Sequence, residues 1–296
     1  MDVPAQRHAL PASVLELQTQ YDAMCKETGL AITTITVAVR TTLDDEARKD
    51  ASLPSESLAR MIEAGLYVPP AGIEVTVKRG KKNQFLNCAI FIVKTPENQA
   101  TVKAFTNGTF HITGAKTFVA CWNVAGAFVD VVLDATGMSL AIAEMTTLMV
   151  NSGCRAAESV NLDKLRGMIV GSSYDRDRHP ALKARVGPFA YKTMAKPNAK
   201  KRTARVSKDK TYSVTALVFP TGSVIFCGAK TPDAMLSAHN SIVRNVITPR
   251  ADDLALSNYA PKSKKARIAD TVKSQSRAET TQDFYEALDL DALLLV

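Results

Sequence analysis

At 296 residues, with 46% hydrophobic residues and a formal net charge of +8, the chain has room for one large domain or two small ones, and its charge favours an anionic partner. No run approaches the roughly 18 consecutive apolar residues of a membrane span, and the first residues lack the charged start and apolar stretch of a signal peptide. Cys25, Cys88, Cys121, Cys154 and Cys227 form no C-x-x-C pair, which argues against a zinc site or disulfide framework and for a reducing intracellular compartment. In chain order, residues 12–28 carry apolar residues at helical spacing with Gly29 as a stop, predicting an N-terminal helix. The β-branched stretch 30–43 predicts a strand. Ser52-Leu53-Pro54 opens a short helix to about Ala64. Strands are expected at 73–78, 85–94 and 101–105, and a Thr-Asn-Gly turn then reverses the chain into 109–113 as a hairpin. Residues 118–135 are apolar nearly all round and predict a buried helix.

The remainder replays that order. A strand is expected at 140–157, a short helix at 161–169, strands between 181 and 194, a hairpin at 212–227 and a closing helix at 232–248. The replay is literal at one place. Residues 105–117 read Phe-Thr-Asn-Gly-Thr-Phe-His-Ile-Thr-Gly-Ala-Lys-Thr, and residues 219–231 read Phe-Pro-Thr-Gly-Ser-Val-Ile-Phe-Cys-Gly-Ala-Lys-Thr. The Phe, both Gly, the Ala, the Lys and the last Thr coincide at an offset of 114 residues. That spacing exceeds a solenoid unit of roughly 20–50 residues, and it implies two half-domains related by a pseudo-two-fold. The expected organisation is an extension at 1–29, a first repeat at 30–137, a second at 138–250 and a tail at 251–296. Residues 192–210 hold eight Lys or Arg against one Asp, the pattern of a solvated loop that also suits phosphates. The tail runs from basic (261–267) to acidic and apolar (283–296), as an interaction segment would.

Two units, each ending Phe-x-x-Gly-(strand)-Gly-Ala-Lys before a helix, resemble the saddle domain of the TATA-box-binding protein family across roughly residues 30–248. Tyr174-Asp175, then His179-Pro180-Ala181-Leu182, resemble a further segment of its second half. Phe85-Leu86-Asn87-Cys88 and Met149-Val150-Asn151-Ser152 look more like the divergent homologues of large double-stranded DNA viruses. The resemblance implies an α+β fold: a curved antiparallel sheet made of duplicated half-domains, with helices on its convex face. It implies a transcription initiation factor that binds and bends A/T-rich promoter DNA through the minor groove, wedging side chains between base steps. No cofactor, metal or catalytic residue is implied. Double-stranded DNA and initiation factors or RNA polymerase are the expected partners, with no membrane. The host nucleus, a viral factory or the virion is the expected location. The alternative is a scaffold of the same fold, with weak or no DNA bending, that recruits other proteins.

On the resemblance, Phe85, Phe105 and Phe219 match wedge positions, with His179 and Pro180 in the fourth slot. Thr113 and Cys227 stand where the family sets a Thr against base edges. Lys116 and Lys230 match lysines near phosphates. The family carries an Asn in the first strand of each half. This chain instead offers Thr34 and Thr36 in the first, and Asn151 a few positions from that slot in the second. Gly108 and Gly222 are read as turn glycines, Gly114 and Gly228 as the passage from strand to helix, and Trp122 as core.

Overall fold

Strict alternation of side chains builds the sheet. In Cys88–Lys94, residues Ala89, Phe91 and Val93 are buried on one side, while Ile90 and Ile92 are half-buried on the other, as a period of two requires. The computed structural model describes residues 8–44, 52–79, 87–191 and 210–256; Phe85, most of the basic segment and the tail from 257 lie outside them. The strands are β1 (Ala31–Thr41), β2 (Glu74–Val77), β3 (Cys88–Lys94), β4 (Gln99–Phe105), β5 (Thr109–Ala115), β6 (Ile142–Arg155), β7 (Leu182–Tyr191), β8 (Lys210–Val218) and β9 (Ser223–Ala229). Among the described residues they form one antiparallel sheet in the order β2-β3-β4-β5-β1-β6-β9-β8-β7. The central pair β1–β6 joins two halves of matching order, 3-4-5-1 against 7-8-9-6. The first half adds β2 at its edge; in the second a lone bridge between Ser173 and Lys183 stands in that place. The fold is thus an α+β saddle of duplicated halves, a curved antiparallel sheet with helices on one face.

The helices are α1 (Ala12–Thr28), α2 (Ser55–Glu63), α3 (Phe118–Thr136), α4 (Leu162–Arg166), α5 (Pro232–His239) and α6 (Ala251–Leu254); α5 continues as a π-helical segment over Asn240–Ile247. The segment α3 is long and apolar enough to cross a membrane by length and composition. It is nonetheless core: Phe128 packs on Phe91 and Phe110 with ring centroids 5.0 and 5.1 Å apart, and Trp122 is buried. The helix α1 packs on both α3 and α5, spanning the two halves. The Tyr21 ring lies 5.1 Å from that of Phe118, and Gln18 Oε1 accepts the Phe118 N–H at 2.7 Å, satisfying one of the orphan donors at the start of α3. All of these elements belong to one compact unit that runs to Ala255. Its last helix is tied to the second half, since Leu254 is buried and its carbonyl accepts from Asn161 N–H.

The repeated phrase has a structural meaning at nearly every position. Gly114 and Gly228 have φ of +110° and +90°, so they turn the chain where L residues are rarely found. Each sits at a register shift, after which Ala115 pairs with Ile35 and Ala229 with Val150. Both alanines are buried. Thr117 and Thr231 then cap α3 and α5, each hydroxyl accepting an N–H three residues on, from Ala120 and Ala234. Thr117→Ala and Thr231→Ala should each cost about 1 kcal/mol, lowering the melting temperature by about 2–4 °C in calorimetry. No change in either variant would show that these ends are held by packing alone.

Candidate nucleic-acid interface

Most buried residues point from the sheet toward the helices, so the alternate residues define an open face, although Thr36 and Ala38 on that face are themselves buried at its centre. Ile35 pairs with Val150 at the centre of β1–β6. Because each also pairs with the equivalent Ala of its own half, these two residues mark the pseudo-dyad. The equivalence in the first strands is therefore 115 residues, one more than in the hairpins, and it sets Thr36 against Asn151. Around the dyad the open face carries Thr34 opposite Asn151 and Thr36 opposite Met149. Thr113 Oγ1 lies 3.3 Å from Thr36 Oγ1. Asn151 Oδ1 accepts the Gly228 N–H at 3.1 Å, where the register shift interrupts the ladder. Since that N–H can only donate, the amide is fixed with Oδ1 toward Gly228 and its two Nδ2 donors on the other side. Hydroxyls and an amide NH₂ suit the acceptors that the A·T minor groove displays.

Away from the dyad, Phe105 ends β4 and packs edge-on against His111, with ring centroids 4.8 Å apart. Phe219 follows β8 at the equivalent place, and its N–H donates to Ser223 O. Both rings are half-buried. The Leu182–Val218 pair brings Ala181, and with it Pro180 and His179, to the neighbourhood of Phe219. His179 Nδ1 accepts the Ala181 N–H at 3.0 Å, which holds the ring within its own turn. Cys227 lies opposite Thr215; burial pushes its thiol up to about 11, so it presents a protonated S–H at neutral pH, a weak donor. The two lysines of the repeat differ. Lys116 is exposed between β5 and α3. The Lys230 ammonium lies 5.4 Å from the Tyr212 ring centroid, and its backbone N–H donates to the Tyr212 hydroxyl, so this side chain leans along the helix-covered side.

Among the described residues the strands of the open face carry more cations than carboxylates, whereas the helices carry both signs, with Lys26 on α1, Arg60 on α2 and Arg79 paired with Glu56 and Glu63. The open face presents Arg40, Lys94, Lys103, Lys183 and Arg185 on its strands. Its acidic residues among those described are Glu144, paired with Arg40 at 3.3 Å, and Glu74, paired with Lys94 at 3.0 Å. On the other side, α3 holds Asp130 and Asp134 with no basic residue, and α1 and α2 together carry Glu16, Asp22, Glu27, Glu56 and Glu63. No group of three potential metal ligands occurs among the described residues. Sequence reasoning did not single out Lys103, His111, Lys183 or Arg185. Their alternation with buried residues was the available signal, once the strands had been placed.

No protein-family model matches the chain, and no curated protein matches it. Among solved structures it is similar to the TBP of Methanococcus jannaschii, at 15% identity and a TM-score of 0.45, over 73% of this chain and 97% of that one.

Proposed function

We propose that this protein is a saddle-shaped, non-enzymatic DNA-binding factor that holds A/T-rich duplex DNA by its minor groove and acts in transcription initiation. The observation that carries this reading is the open face itself. It combines hydroxyls, aliphatic groups and cations, the two acidic side chains on its described strands are paired with cations, and a Phe stands at the equivalent place in each half. Cations on this face would provide the salt-dependent, sequence-independent part of duplex binding. Phe105 and Phe219 are suited to wedge between base steps, and flexible pyrimidine–purine steps are the least costly to open.

A second reading, protein recruitment, is favoured by a separate observation. The loop after α2 exposes Leu66 and Val68, 77% and 81% accessible, and the loop after α4 exposes Met168 and Val170, the latter 99% accessible. With Leu15, these are the large exposed hydrophobics among the described residues. A pair of matching apolar loops suits a protein partner, and it is compatible with DNA held on the opposite surface of the sheet. The experiment that separates the readings is energy transfer across a doubly end-labelled A/T-rich duplex at moderate salt. Binding with a rise in transfer supports a DNA-bending factor. Absence of affinity for any duplex would leave recruitment as the function.

A further inference from the structure

The two hairpins share their inward residues in kind but not their outward ones. In β4–β5 the outward pairs are Thr101 opposite Thr113 and Lys103 opposite His111; at the equivalent places in β8–β9 stand Thr215 opposite Cys227 and Leu217 opposite Ile225. All eight side chains are half-buried on the open face. The outer strands invert the contrast. There β3 sets Ile92 and Ile90 beside Thr101 and Lys103, whereas β7 sets Arg185 and Lys183 beside Thr215 and Leu217. Both halves therefore carry cations. What differs is their place: in the first half Lys103 stands on the inner ladder, with Lys94 at the end of β3 paired to Glu74, and in the second both cations stand on the outer strand.

We infer, building on the minor-groove reading above, that the two halves discriminate base pairs unequally, the second demanding A·T and the first tolerating G·C. A·T and T·A offer only acceptors in the minor groove, while G·C adds the guanine N2 amino donor. Against Leu217 and Ile225 that amino group loses water and finds no acceptor, and a buried donor left unmade is costly. In the first half the Thr113 hydroxyl and an imidazole nitrogen of His111, standing where the second half has Cys227 and Ile225, can accept its hydrogen, whereas Thr101 and Thr215 are alike and do not distinguish the halves. Lys103 donates to the acceptors that remain. A duplex with one G·C-containing end is consequently held in one orientation, that end beneath the first half.

Competition binding tests this with A/T-rich duplexes carrying two G·C pairs in one half of the site, or two in each half, beside the same duplexes with inosine·cytosine, which lacks the N2 amino group. Substitution in one half should cost less than about threefold, because the protein turns the altered end to its tolerant side. Substitution in both halves should cost about tenfold or more per intolerant pair, and inosine·cytosine in both halves should restore binding. The variant Lys103→Leu/His111→Ile should raise the cost of the one-half substitution to that of the two-half substitution in the wild-type protein, while Leu217→Lys/Ile225→His should relieve the two-half cost. If the penalty for two halves is the square of that for one in the wild-type protein, the halves are equivalent and the inference is overturned. It is also overturned if inosine·cytosine is as harmful as G·C. Failure to bind any duplex would instead overturn the minor-groove reading, and this inference with it.

Discussion

Gly222→Ala should be among the most damaging single substitutions in the protein, costing about 4 kcal/mol or more, a loss reserved for a few mechanisms. Two effects combine. Gly222 has φ of +75°, a conformation costing an L residue roughly 1–2 kcal/mol. A Cβ there would also stand 1.9 Å from the carbonyl oxygen of Ala157, so backbone must move. The tip of the β8–β9 hairpin is pressed beneath the end of β6, and Gly222 O accepts the Ala156 N–H at 2.9 Å. At the equivalent tip, Gly108 O accepts from Thr41 Oγ1 at 2.9 Å, but a Cβ would meet side chains instead, Leu43 Cβ at 2.6 Å and Thr41 Oγ1 at 2.8 Å. Gly108→Ala should therefore cost less, about 2–3 kcal/mol. Chemical denaturation of both variants measures this. A loss below about 1 kcal/mol for Gly222→Ala would mean that the tip is not pinned, and that Phe219 beside it is not held in a defined place.

Removing both face aromatics should produce the largest functional loss. Phe105→Ala and Phe219→Ala each delete a ring whose stacking on a base is worth roughly 1–3 kcal/mol, so the double variant should bind A/T-rich duplex at least about thirtyfold more weakly and no longer raise end-to-end energy transfer. Stability should change little, since neither ring belongs to the buried core. Unaltered energy transfer in the double variant would remove the wedge role. Unfolding on substitution would show that the rings serve the core.

The repeated phrase led to the fold, and the structure explains why it is a better guide to fold than to site. Within Gly-Ala-Lys-Thr, the Gly supplies a positive φ, the Ala packs at the register shift and the Thr caps a helix. Three of the four residues would be needed by any saddle of this design, whatever it bound. The remaining Lys is exposed in one half and laid against Tyr212 in the other. Strand and helix positions were legible because period-two alternation and the apolar run 118–135 are strong local signals. Cross-strand partnership was not. A constant offset of 114 would place Asn151 against Val37, a core residue, whereas the register shifts at Gly114 and Gly228 place it against Thr36. Register arises from pairing across the sheet, which no local pattern encodes. The exchange of Lys103 and His111 for Leu217 and Ile225 lies at the 114-residue offset and is legible in the sequence, but that these residues share the open face follows only from the pairing. Phe85, the basic segment 192–209 and the acidic-apolar end lie outside the described residues.

The most direct test of the account replaces every A·T pair of a bound duplex by inosine·cytosine. That change rewrites the major groove while leaving the donors and acceptors of the minor groove those of A·T. If the open face holds DNA by its minor groove, equilibrium affinity should stay within about threefold of the A·T duplex, and full replacement by G·C should weaken it by at least about a hundredfold, at the roughly 1–3 kcal/mol expected for each mismatched pair. Affinity for the inosine·cytosine duplex that falls to that of the G·C duplex would contradict the account, because the protein would then be reading the other groove.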